Sequence, residues 1–353
     1  MKILHVTNTL EQGGVESFLL DLLPAIKKRG HVVSVMVMDR KKNKLHSLFE
    51  EKGIQVYTAP FNSLYNIFNL FFLWKLSKNY QVIHSHLFPC QYYVAWISFL
   101  GRKRKVFVTT EHSISNRRRN RSFFRIIEKF MYSRYNKIIT ISDLATRNLS
   151  SWINKNCITI YNGIHLNKSQ QSSARRENFG ISALQKLVIM VARFYEAKDH
   201  ATAIKAMTLL PKNVVLAFIG SGETMEACKS LVSDLSLNNR VLFWGQQNNI
   251  ASLLNMADIC LLATCYEGFP ISVLEYMAAS KPIVASNVPG VSNLVKDIGL
   301  LYQHKNEQDL ANKISEILNS SELSSELSQK AYTKVLDFSI EKTTDNYLRV
   351  YYN

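Results

Sequence analysis

"KILHVTNTLEQGGVESFLLDLLPAIKKRG", residues 2–30, carries three structural signals in succession. KILHVTN reads as a buried strand, EQGG as a glycine turn, and VESFLLDLLPAIKKRG as a helix with apolar residues at helical spacing. Outward from this unit the same alternation continues. Strand-like runs recur at HVVSVMVM (31–38), IQVYTA (54–59), YQVIHSH (80–86), KVFVTTEHS (105–113), NKIITIS (136–142) and CITIYNG (157–163), with helical stretches between several of them. Strand alternating with helix predicts an α/β fold built on a parallel sheet with helices on both faces.

The pattern breaks at a polar, helix-breaking interval, HLNKSQQSSARRENFGIS (165–182), and then restarts. KLVIMVARF (186–194), VVLAFIGSGE (214–223), RVLFWGQ (240–246), DICLLAT (258–264) and PIVASN (282–287) are its strands. We therefore expect two doubly wound Rossmann-like domains: residues 1–168, with an amphipathic closing helix over 338–353 packing back on them, and residues 169–337. Two such domains in tandem would have facing sheet edges and a ligand-binding cleft. A length of 353 residues, 47% of them hydrophobic, suits two domains with substantial cores.

No apolar run approaches the roughly 18 residues that cross a bilayer, and the first residues lack a secretion-type apolar core. A cytoplasmic protein is expected. The five cysteines form no CxxC pair and read as reduced packing residues. The net charge of +16 is one-sided: residues 1–165 hold 25 Lys/Arg against 9 Asp/Glu, and the remainder is balanced at 18 of each. Such a field favours an anionic partner, namely a phospholipid surface, a pyrophosphate or nucleic acid.

Chemistry concentrates in CYEGFPISVLEYMAAS (265–280). Glu267 lies in the loop leaving a strand, and Glu275 about one turn into a helix that starts near Pro270. Between them the amides around Phe269, Ile271 and Ser272 form a helix N-terminus, which suits a phosphate, and Gly268 permits close approach. Two acceptors flanking an anion site describe a nucleotide sugar. A solvent-facing Glu275 and a helix-start Glu267 describe the same residues structurally. In VIMVARFYEAKDH (188–200), Arg193 and Lys198 follow a strand and are placed for a diphosphate.

In the order GGVES, TTEHS, ITISD, YNGIH, VARFYEAKDH, GSGE and EGFPISVLEYMAASKPIVAS, nearly the whole chain resembles glycosyltransferase family 4, retaining enzymes of the GT-B fold. The resemblance implies that Arg193 and Lys198 bind a donor diphosphate, that Glu275 holds the ribose and that Glu267 orients the transferred sugar. It implies that Gly14 approaches the donor phosphate and Gly13 the acceptor, with His112 near the reacting sugar. Asn293 stands where relatives often have Glu, and Ser280 where Gly is common. The implied reaction is transfer with retention from a nucleoside-diphosphate sugar, UDP in our reading, to a lipid-linked or oligosaccharide acceptor in cell-surface polysaccharide synthesis, such as capsule or exopolysaccharide.

His84 and His86 share one side of a strand and suggest a metal, but no acidic or cysteine ligand stands at a metal-like spacing. His86 instead reads as an acceptor contact. The chain has no Asp-x-Asp motif, so neither metal nor other cofactor is expected. FNSLYNIFNLFFLWKLSK (61–78), GRKRK (101–105) and NRRRNRSFFR (116–125) read as a shallow attachment to the inner face of the cell membrane, or as a core helix with solvated cations. EQGG is not GxGxxG, so a nicotinamide enzyme is poorly supported. A nucleotide-sugar 2-epimerase of the same fold is the alternative enzyme. A nucleic-acid-binding protein would explain the basic half but leave residues 185–285 unused.

Overall fold

The computed structural model describes residues 1–11, 13–41, 43–61, 63–101, 105–114, 117–166 and 174–352. The chain divides into two compact units, Met1–Gly163 with Ile340–Asn353, and Ile164–Ser339. The expected boundaries at 168/169 and 337/338 thus move to 163/164 and 339/340. Residues 167–173 of the expected linker, and the arginine and lysine run 102–104, lie outside the described residues.

The first unit is a parallel sheet of β1 (Lys2–Thr7), β2 (Val32–Val37), β3 (Gln55–Thr58), β4 (Val82–His86), β5 (Val106–Glu111), β6 (Lys137–Thr140) and β7 (Ile158–Thr159). Its order is β3-β2-β1-β4-β5-β6-β7. The crossovers carry α1 (Gly14–Lys28), α2 (His46–Glu51), α3 (Phe68–Ser77), α4 (Cys90–Ile97), α5 (Ser122–Ser133) and α6 (Asp143–Ile153). Strands buried on both faces read as continuous apolar runs, which is why β1 and β2 were legible. β4 departs from that rule, because all five residues of VIHSH are buried, histidines included. In α1, Phe18, Leu19, Leu22, Leu23 and Ile26 form the buried stripe.

The second unit repeats the winding with β8 (Lys186–Val191), β9 (Val214–Ile219), β10 (Val241–Phe243), β11 (Ile259–Leu262), β12 (Ile283–Ser286) and β13 (Leu300–Tyr302), in the order β10-β9-β8-β11-β12-β13. Its helices are α7 (His200–Ala206), α8 (Met225–Asp234), α9 (Ile250–Met256), α10 (Ile271–Ala278), α11 (Ser292–Val295), α12 (Glu307–Leu318) and α13 (Ser321–Val335). All pairings are parallel, including β13 with β12, a strand the sequence did not announce. The core runs from Val188 and Met190 through Phe218 and Leu261 to Tyr302 and Ile314.

The chain then returns to the first unit as α14 (Ile340–Tyr352), which buries Ile340, Thr343, Thr344, Tyr347, Leu348, Val350 and Tyr351. In each sheet the winding reverses once, between β1 and β4 and between β8 and β11. The carboxyl ends of strands at such a reversal are where open α/β sheets bind ligands. All five cysteines are free thiols.

Candidate functional site

At the reversal in the second unit, β8 runs into Ala192–Lys198 and β11 into Ala263–Pro270. The two strands pair only through Ile259 with Val188 and Cys260 with Ile189, so they separate toward their carboxyl ends. Tyr276 of α10 closes the gap from beneath. Its buried hydroxyl accepts from Val191 N at 2.7 Å and donates to Leu261 O at 3.1 Å. Beyond it the loops are tied directly: Cys265 N donates to Ala197 O at 2.8 Å, and Thr264 Oγ1 donates to the same carbonyl at 3.0 Å.

This stitching brings Lys198 Nζ and Glu267 Oε1 into a hydrogen-bonded ion pair, each side chain 13% exposed. The sequence reading gave the two residues to different parts of a ligand. They instead form a neutral unit, so a ligand that uses one must reorient or share the other. Arg193 is exposed, its guanidinium carbon 4.9 Å from the centre of the Tyr195 ring, with no carboxylate partner among the described residues. Burial first, and then the Glu267 carboxylate, push the Tyr195 hydroxyl up to about 12.

The N-terminus of α10 is the second positive element. Pro270 caps it in an extended conformation, no side chain caps it, and no acid lies in its first turn. Phe269 is buried with its ring 5.4 Å from that of Phe338, so only its backbone can face a ligand. Ile271, Ser272 and Glu275 are half-buried, Glu275 one turn into the helix.

Three glycines hold the loops. A Cβ at Gly290, whose φ is +83°, would stand 1.8 Å from Glu267 O, while Glu267 N donates to Pro289 O at 3.2 Å. At Gly222 the corresponding Cβ would be 2.0 Å from Phe194 O, and at Gly220 it would be 2.0 Å from Ala192 O. The two glycines of GSGE let that segment pack against the loop carrying Arg193. The sequence signal was the G-x-G spacing. For Gly290 it was only the Pro-Gly pair.

In the first unit, Gly13 caps α1 and Gly14 is its first residue. Glu16 occupies that first turn, and a Cβ on Gly13 would meet Glu16 Oε2 at 2.6 Å. A carboxylate therefore already lies against the glycine turn, where the sequence suggested a phosphate approach.

His112 follows β5, and the turn around it is fixed by Glu111. That carboxylate accepts from Arg119 at 2.9 Å, Tyr132 Oη at 2.8 Å and Ser113 N at 3.2 Å. Behind half-buried His112 lies a line of imidazoles. His112 Nε2 is 3.0 Å from His86 Nδ1, and His86 Nε2 is 2.9 Å from His5 Nδ1. His86 is fully buried with both nitrogens engaged, which corrects the expectation that it meets the acceptor directly. Burial holds His5 and His112 down at about 3, and His86 and His84 well below the usual imidazole range.

His5, His84 and His86 offer nitrogens within 4.8 Å of one another, a candidate cation cage. However, His84 is bonded to Tyr351 Oη at 2.6 Å and Thr110 Oγ1 at 2.8 Å, and His86 to its two neighbours. A metal would have to break that network. Only His5 Nε2 lacks a partner.

The basic stretch 116–125 is only partly a surface feature. Arg118 donates to the fully buried Glu128 at 2.8 Å, and Arg119 is 8% exposed between Glu111 and Glu128. These two arginines are internal, contrary to the membrane-facing expectation.

Comparison with known proteins separates the chain into two family matches. Residues 12–168 match the family described as Glycosyltransferase Family 4, and residues 171–334 match that described as Glycosyl transferases group 1. The N-acetyl-alpha-D-glucosaminyl L-malate synthase of Bacillus anthracis is 28% identical over 57% of this chain and 54% of its own length. Thus the chain's match spans about half the length of that relative. An N-acetylgalactosamine-N,N'-diacetylbacillosaminyl-diphospho-undecaprenol 4-alpha-N-acetylgalactosaminyltransferase of Campylobacter jejuni is 24% identical over 94% of this chain and 93% of its own. Among solved structures, Anabaena HepE in complex with UDP and glucose superposes with a TM-score of 0.88 at 21% identity, covering 99% of both chains. That likeness establishes the GT-B fold.

Proposed function

The chain belongs to glycosyltransferase family 4, and on that premise we propose that it transfers a sugar with retention from a UDP-sugar to a lipid-linked glycan acceptor in cell-surface polysaccharide synthesis. The observation that carries the proposal is the convergence, at the β8/β11 reversal, of exposed Arg193, the Lys198–Glu267 pair and the uncapped N-terminus of α10. A departing nucleoside diphosphate develops negative charge, and preorganised positive groups stabilise it most where water is excluded. Arg193 and the α10 amides meet that charge, and Lys198 joins them while Glu267 turns to the sugar hydroxyls. Glu275 takes the ribose. Because protein cations and a helix end supply the positive charge, the proposed reaction needs no metal.

Supporting context comes from relatives. The Campylobacter enzyme is named for transfer to a diphospho-undecaprenol-linked acceptor, and HepE was crystallised with UDP and glucose. A thermal-shift panel of UDP-, GDP- and ADP-sugars tests the donor. A ligand at 100 times its dissociation constant adds about 2.7 kcal/mol. A rise in melting temperature with UDP-sugars is expected, and no rise with any nucleotide sugar overturns the reading. Donor consumption without acceptor would reassign the chain to the 2-epimerases.

We also propose that the first unit lies on an anionic membrane surface. Among the described residues no helix is long and apolar enough to cross a bilayer. Yet Phe123, Ile126 and Phe130 line one exposed face of α5, and the Phe130 ring stacks on Phe99 at 5.7 Å, with Trp96 beyond it at 6.0 Å. Ile67, Phe68 and Phe71 are exposed at α3. Apolar side chains of this kind enter the headgroup boundary, with about 1 kcal/mol added per nearby Lys or Arg.

A further inference from the structure

We infer that His5 and His86 are positioning residues that fix which ring nitrogen of His112 carries its proton, so that His112 presents Nδ1–H to the substrate. The inference rests on the glycosyltransferase reading only for what His112 touches. The relay itself stands on the geometry of the first unit.

The argument is a count of protons. A neutral imidazole has one N–H and one lone pair. His5 and His86 are fully buried, and burial keeps all three rings of the line neutral at physiological pH. Two hydrogen bonds join the three rings, so the line must run with a single polarity. In one polarity His5 Nδ1–H donates to His86 Nε2, His86 Nδ1–H donates to His112 Nε2, and His112 keeps its proton on Nδ1. In the other every proton is reversed, and His5 Nε2 becomes an N–H.

The buried end decides between them. His5 Nε2 has no hydrogen-bond partner. The first polarity leaves a bare lone pair there, and the second an N–H with no acceptor, which is the rarer defect in protein interiors. His84 cannot relieve it, because its nitrogens are held by Tyr351 and Thr110 while its ring packs 5.0 Å from that of His5. His112 Nδ1 has no protein partner among the described residues, so the proton the line delivers there is available to a ligand. Reversing one bond requires reversing the other, which couples His112 to a residue two rings away.

The test is nitrogen-15 NMR of histidine-labelled protein at pH 7.5, which reads the proton on each ring nitrogen, with His112→Gln assigning the resonance. We expect His112 to be protonated at Nδ1. In His5→Phe the ring volume remains but the donor to His86 is gone. His112 should then show a mixture of tautomers, and kcat should fall roughly three- to tenfold, the worth of one hydrogen bond, with UDP affinity unchanged. His5→Asn restores an N–H toward His86 and should recover both the tautomer and the rate. A wild-type proton on His112 Nε2, or a His5→Phe spectrum with the His112 tautomer intact, overturns the inference. The wild-type spectrum decides the polarity even if His5→Phe does not fold. If no nucleotide sugar is turned over, the functional reading fails while the spectrum still judges the relay.

Discussion

Gly290 lies against the peptide oxygen of Glu267 so closely that a methyl group there would stand 1.8 Å from it. The φ of +83° at Gly290 adds a second obstacle to any side chain. Gly290→Ala is therefore expected to cost at least about 1–3 kcal/mol and to displace Glu267. Chemical denaturation measures the first effect and sugar transfer the second. A variant with wild-type stability and turnover would show that the Pro289–Gly290 turn does not position Glu267.

Lys198 and Glu267 are in direct contact, so their substitutions should not add. Glu267→Gln and Lys198→Met are each expected to lower transfer by at least roughly tenfold, from loss of interactions at the developing charge. The double variant should lose less than the product of the two. Independent, multiplicative losses would mean that the pair does not act as a unit in turnover.

Tyr276→Phe removes one hydroxyl and leaves two partners, Val191 N and Leu261 O, without it. A buried amide left unpaired costs about 1–3 kcal/mol. We expect a loss of stability in that range, together with weaker UDP-sugar binding measured by calorimetry, because the ends of β8 and β11 are free to spread. Unchanged donor affinity in a destabilised variant would confine Tyr276 to packing.

Five imidazoles, His5, His84, His86, His112 and His200, are held below their usual value of 6.5, chiefly by burial. The folded values lie below the unfolded one, so the unfolded chain binds more protons as the pH drops. Stability is then full above about pH 6.5 and falls below it by about 1.4 kcal/mol per pH unit for each histidine, in the case of His5 down to about pH 3. Denaturation between pH 5 and 8 should show a plateau and then a steep loss, shallower by one proton in His5→Phe. Equal slopes in the two proteins would contradict the depressed value of His5.

Replacing Ile126 and Phe130 with Asp should reduce co-sedimentation with vesicles containing anionic lipid, leaving the unfolding free energy within about 0.5 kcal/mol of wild type for each, since both side chains are exposed. Wild-type binding of this variant would remove α5 from any membrane-facing surface.

The alternation of strand and helix was legible because strands buried on both faces leave apolar runs, and β1, β2, β8 and β9 are such runs. β13 was not, because three residues carry no period. Arg193, Lys198 and Glu267 were readable as residues just past strand ends. What escaped was set by partners far away in the chain: Tyr276 meets Val191 across 85 residues, and His5 meets His86 across 81. The pair His84 and His86 could be seen on one strand, but not that His5 and His112, from two other parts of the chain, join His86 alone in a line. Arg118 and Arg119 read as membrane-facing cations because their acids, Glu128 and Glu111, lie in a later helix and at a strand end.

Because α14 follows the entire second unit in sequence yet belongs to the first, the order of synthesis and the order of assembly differ. When β7 has left the ribosome, His84 still lacks Tyr351 and α1 still lacks the helix it packs against. At about 5–20 residues per second, the intervening Ile164–Ser339 segment takes roughly 10–35 seconds to translate. For that interval the face of the first unit that α14 covers, with His84 and one side of α1, stays without its partner. The second unit, contiguous in sequence, has no such wait.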